Sequence, residues 1–140
     1  MTRRTSKKAL QMYKDLIDAL AARRENGYGD WIRKGGFPDF PHNATINALL
    51  KQLTPSQKKA VAEIAQRSRD SGMHDVLVEL QERQDLQGLR LVQRGIELPV
   101  LYFERMYYDF ICRISGDQWP DERGGRKPRK RRAVRRRRSE

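Results

Sequence analysis

A second cysteine is missing from this chain. Cys112 stands alone, so no disulfide can close within the sequence, and a reducing, cytoplasmic setting is expected. Histidine is nearly as scarce: His42 and His74 with one cysteine do not supply the three or four spaced ligands of a zinc site. No cofactor is implied. No stretch approaches the ~18 consecutive apolar residues of a membrane-spanning helix. Nor does an apolar segment follow the basic start at Met1–Lys8, which argues against a secretion signal. Gly35-Gly36 lacks the lysine-hydroxyl ending of a phosphate-binding loop, and no strand pattern precedes it.

What is abundant is charge, and it is unevenly placed. The formal net charge is +12, yet residues 9–122 hold 15 basic and 17 acidic residues. Residues 123–140 hold eleven basic residues against a single acid. The sequence therefore divides into a basic N-terminus (1–6), one domain (7–121) and an Arg/Lys-rich tail (122–140). The tail composition cannot bury enough apolar area to fold by itself and predicts disorder.

Within 7–121 the periodicity predicts a mainly helical α+β domain of four to five helices, with a small β-hairpin before the last helix. Leu10, Tyr13, Leu16, Ile17, Leu20 and Ala21 form one helical stripe over 7–25, ended by Asn26-Gly27. Glycines and prolines break up 27–42, where Asp30 can cap at most one turn, and Trp31, Phe37 and Phe40 are expected to fold over an edge of the core. Asn43 is a plausible cap for a helix with Ile46, Leu49, Leu50 and Leu53 on one face. Thr54-Pro55-Ser56-Gln57 carries the strongest local signal, a capping box with proline at the first helical position. The helix it starts, 55–70, is expected to turn Ala60, Val61, Ile64, Ala65 and Ser68 inward and to stop at Ser71-Gly72. A further helix follows over 73–83. Leu89–Leu91 and Ile96–Leu98 alternate around Gln93-Arg94-Gly95 as a hairpin. The last helix, 101–115, directs Phe103, Tyr107, Phe110, Ile111 and Ile114 to the core, and Tyr102, Met106 and Tyr108 widen its apolar arc.

The candidate ligand- or partner-binding residues are Tyr107, Tyr108, Asp109, Arg113, Asp117 and Trp119. Asp109 and Arg113 are four apart on one helix, so they read either as an ordinary ion pair or, beside two phenols, as a polar pocket. Trp119 either pins the chain end to the body or presents its indole to a partner.

In the tail, Arg126, Lys127, Arg129, Lys130, Arg131, Arg132, Arg135, Arg136, Arg137 and Arg138 are candidates for non-specific association with nucleic acid or another polyanion. An anionic membrane surface is an alternative target, as is a solubilising role. No aromatic residue interleaves these cations, so base stacking and sequence specificity are not expected. Two other readings stay open. One is a protein-interaction module, a homodimer or a toxin- or immunity-type partner, using the aromatic arc; the other is an enzyme built on the Tyr/Asp/Arg cluster.

The segments GMHDVLVEL, LQGLRLVQRGIELPV and YYDFICRISGDQWP together resemble a family of small uncharacterised bacterial proteins. That family shares a DVLV helix, a GLRL…G…LPV hairpin and a YYDW…R…GD.WP ending; here Phe110 stands in place of the tryptophan. The likeness covers Thr54 to Pro120. It implies a bacterial cytoplasmic protein in which Tyr107, Tyr108, Asp109, Arg113, Asp117 and Trp119 matter, and it implies no activity.

Overall fold

The computed structural model describes residues 5–25 and 27–123. The ten tail cations from Arg126 to Arg138 lie outside the described residues. Five α-helices and a two-stranded hairpin make up the described chain. In order they are α1 (Lys7–Ala22), α2 (Gly27–Lys34), a 3-10 turn (Pro41–Asn43), α3 (Ala44–Gln52), α4 (Pro55–Gln87), β1 (Val92–Gln93), β2 (Ile96–Glu97) and α5 (Met106–Ile114). The expected mainly helical α+β class, with the hairpin ahead of the last helix, is the class observed. No described helix is long and apolar enough to cross a membrane.

Local side-chain caps set two of the helix starts. Ser6 accepts from the Ala9 amide at 3.0 Å and caps α1. Thr54 and Gln57 close the reciprocal capping box that opens α4, at 3.2 and 2.9 Å. Asn43 precedes α3 but does not cap it. Its amide donates to the Pro38 carbonyl at 2.9 Å, leaving its backbone in the helical region.

Three expectations are corrected. Ala22 ends α1 short of residue 25, and α2 begins at once at Gly27, so the irregular 27–42 stretch holds an eight-residue helix. At Gly27 a Cβ would sit 3.0 Å from the Trp31 ring, so a larger residue there would have to displace the indole. Secondly, Ser71-Gly72 does not divide two helices, since α4 runs 33 residues without interruption. A glycine inside a helix costs about 1 kcal/mol relative to alanine, too little to break a rod that packs on α2 and α3 at one end and on α1 and α5 at the other. The actual stop is Gly88, in the left-handed region at φ 71°. Thirdly, α5 starts five residues later than expected, because Pro99 turns the chain and Arg105 is extended at the helix cap.

The α4 rod serves two cores. The larger gathers Tyr13, Ile17, Leu77, Leu98, Met106, Phe110 and Trp119; the smaller gathers Ile32, Leu50 and Ala62. In the smaller core Ala62 takes the buried position and Ala65 packs beside it as anticipated, while Val61 and Ile64, also expected inward, are exposed. Trp31 and Phe37 do fold back, stacking with each other and with Tyr28 at 5.3–5.5 Å, whereas Phe40 lies exposed against His42.

The hairpin pairs Val92 with Glu97 and Gln93 with Ile96, so β1 lies past the Leu89–Leu91 strand read from the alternation and takes in Gln93, which was expected in the turn. Arg94 and Gly95 both take positive φ, at 49° and 74°, which is the two-residue turn compatible with strand twist. So short a ribbon cannot stand in water unaided. Leu98, buried and bonded from its amide to the Leu91 carbonyl at 2.8 Å, ties it to the larger core.

Candidate functional site

Three consecutive residues of α5 point three ways, as about 100° per residue requires. Tyr107 turns to α4 and meets the His74 ring edge-on at 5.4 Å. Tyr108 faces outward and is 50% exposed. Asp109 turns to α1 and is buried. Tyr108, Asp109, Arg113, Asp117 and Trp119 line one depression of about 330 Å³, together with Cys112. Tyr107 does not belong to it.

The expected Asp109–Arg113 pair along the helix is replaced by partners from α1. Tyr13 donates its hydroxyl to Asp109 at 2.6 Å. Arg113 donates through Nε to Asp18 at 2.6 Å and through a terminal nitrogen to the Asp117 carbonyl. The Trp119 indole N–H reaches the other Asp18 oxygen at 3.2 Å, and the Arg113 guanidinium lies 5.2 Å from the Trp119 ring centre. Asp18 thus clamps the helix and the chain end after it at once.

Lys14, next to Tyr13 on α1, is the most deeply buried cation described. Its ammonium bonds Asp121 and Glu122, each at 2.8 Å, and sits 5.7 and 5.9 Å from the Trp119 and Phe103 ring centres. Burial pulls the Lys14 pKa down, but the two carboxylates outweigh it and the net shift is upward. Trp119, Asp121 and Glu122 are therefore held onto the body by groups of α1. Trp119 is buried and pins the chain end, as one of its two readings anticipated.

The electrostatics favour a structural lock over an activated group. Burial raises the Asp109 carboxyl above the ordinary carboxylate range, and Glu104 adds to the shift against the Tyr13 hydrogen bond. Burial and then Asp109 push the Tyr13 phenol well above its ordinary value. Burial, followed by the charge of Asp117, also raises the Cys112 thiol, which keeps it protonated and weakly nucleophilic. The cations of the depression are engaged: Arg113 with Asp18, and Arg123 with the Gln118 carbonyl and, at 3.8 Å, Asp117.

Sequence reasoning missed Tyr13, Lys14 and Asp18 as members of this site. Their signal was present but quiet: two opposite charges at i, i+4 flanking the apolar stripe of α1.

The arrangement defines a small helical domain whose C-terminal turn is latched to its first helix by buried polar bonds. The chain belongs to the family of unknown function DUF6547, whose model matches residues 6–121. No curated protein and no solved structure matches it.

Proposed function

We propose that the protein binds polyanions, nucleic acid foremost, through its Arg/Lys-rich tail. The observation that carries this reading is the partition of charge. Eleven basic residues and one acid occupy 123–140, against 15 basic and 17 acidic residues in 9–122. Asp121 and Glu122, the last acids before the basic run, are the two held by Lys14. That engagement lowers their competition with a phosphate backbone for the neighbouring arginines.

Counterion release then dictates the behaviour: affinity falls linearly with salt on a double-logarithmic plot, by about 0.9 per phosphate neutralised. The test compares the full chain, a chain ending at Arg123 and a full-length variant with the tail arginines changed to glutamine. Each is titrated with fluorescent duplex DNA of two unrelated sequences over a salt series. Steep, sequence-indifferent binding by the full chain only is the expected result. Equal, salt-insensitive binding by all three would remove the proposal.

A further inference from the structure

The hairpin tip carries a residue that the turn does not favour. Arg94, at φ 49°, is the single non-glycine residue among those described with a positive φ. It fills the first of the two turn positions, where Asn, Asp or Gly is preferred because other L-residues are strained in the left-handed region. Its side chain is exposed and makes no hydrogen bond or ion pair with any described residue. The fold thus draws nothing from the guanidinium. Backbone strain without a structural benefit points to a side chain placed for contact outside the chain.

The surroundings say what kind of contact. The hairpin stands against the start of α1, where Ser6 and Ala9 on one side and Ile96, Leu98 and Pro99 on the other line a depression of about 450 Å³. Glu97, the acid of that depression, faces Arg90 at 3.6 Å. Lys7 and Lys8, in the first turn of α1, are exposed, and their side chains, like that of Arg94, have no partner among the described residues. Three cations without a counter-charge therefore flank the junction of α1 with the hairpin. Lys7 and Lys14 are seven residues apart, which puts them on one face of α1, about 10 Å from each other along its axis. Lys14 holds Asp121 and Glu122, so the residues just before the basic run in sequence dock on the α1 face that carries Lys7.

We infer that Lys7, Lys8 and Arg94 form a phosphate-binding face of the folded body, which engages the backbone of duplex nucleic acid together with the tail. The inference rests on the tail reading above and adds the body to it. Arginine can bond two phosphate oxygens at once, and the lysines neutralise charge without reading base edges, so the face is indifferent to sequence. A lipid surface fits less well. The apolar stripe of α1 is buried in the larger core, leaving no amphipathic face beside these lysines to enter a bilayer.

The experiment titrates full-length variants with fluorescent duplex DNA over a salt series. Arg94→Asn, and Lys7→Gln with Lys8→Gln, should each lower the slope of log affinity against log salt, by about 0.9 per phosphate contact removed. Arg94→Lys should keep the slope. Lys58→Gln with Lys59→Gln takes the same charge as the first lysine pair from the start of α4 and should leave the slope unchanged. Arg94→Asn should also raise Tm, because asparagine suits the turn better, so its loss of binding is not a folding defect. Wild-type affinity and slope in the Lys7/Lys8 and Arg94 variants, with binding lost in the tail variant, would overturn the inference and leave the tail reading standing. Loss in those variants with none in the tail variant would do the reverse. A full chain that binds no duplex would remove both. The face would also be overturned by an equal loss in the Lys58/Lys59 variant, which reduces the effect to net charge, or by a lowered Tm in Arg94→Asn. Unchanged DNA binding with lost binding to phosphatidylserine vesicles would assign the face to lipid instead.

Discussion

Tyr13 and Asp109, 96 residues apart in sequence, share a 2.6 Å hydrogen bond in the interior, the phenol donating to the carboxylate. The bond joins α1 to α5 where the larger core is tightest, with Tyr13, Met106 and Phe110 fully buried around it. Removing the donor leaves a carboxylate in low dielectric without its partner. Tyr13→Phe is expected to lower stability by about 1–3 kcal/mol. Combining it with Asp109→Leu should cost less than the sum of the two single changes. Urea unfolding of the four members of this cycle checks both statements, and additive losses would show that the bond carries no coupling energy.

The same carboxyl imposes a pH dependence. Its pKa in the folded chain is raised, chiefly by burial. Between the unfolded carboxylate value and that raised value the folded chain binds more protons than the unfolded one, so stability falls as pH rises through the window. Asp109→Asn removes that contribution. The difference in unfolding free energy between wild type and Asp109→Asn should therefore shift in favour of the variant as pH rises from the ordinary carboxylate range towards neutrality. A difference that is flat, or slopes the other way, would refute the assignment.

Lys14 and its two acids predict an asymmetry. The ammonium is buried, while the side chains of Asp121 and Glu122 are 38% and 54% exposed. Lys14→Met keeps the stem against Phe103 and Trp119 and leaves two acids that water can solvate, so it should cost about 0.5 kcal/mol. Asp121→Asn with Glu122→Gln instead strands the buried cation and should cost about 2 kcal/mol. Thermal unfolding ranks the two, and the reverse order would mean that the ammonium reaches water freely.

These relationships also explain which parts of the molecule could be read from the chain. The Thr54–Gln57 capping box is satisfied within four residues, so its bonds are written in the sequence that makes them. The Arg94-Gly95 turn is equally local. The latch around Trp119 is not. Lys14 and Asp18 find partners 95 to 108 residues away, and their i, i+4 spacing on α1 suggests a local pair and not those partners. Asp109 and Arg113 show the opposite failure, for their i, i+4 spacing advertises a pair that closer tertiary partners replace. Of the candidate residues, Tyr107 drops out of the depression because its ring turns to α4 and packs on His74. The face of α4 was misassigned for a related reason: Ala62 wins the inward position over Ile64 because α2 approaches closely there, and that choice depends on an element outside the helix.

Glycine in α4 offers the clearest separation of local from tertiary control. Gly72 has ordinary helical backbone and open space where a Cβ would lie, whereas Gly88 caps the same helix at φ 71° with equally open space around it. Sterics with neighbours are thus matched, and only backbone conformation differs. Gly72→Ala should stabilise the chain by about 1 kcal/mol through helix propensity. Gly88→Ala should destabilise it by about 1 kcal/mol, the cost of forcing an L-residue into the left-handed region. Both are measured by denaturant unfolding. If Gly72→Ala were instead destabilising, the helix would have to bend or open at that glycine, and the continuous α4 rod on which both cores depend would be wrong at its centre.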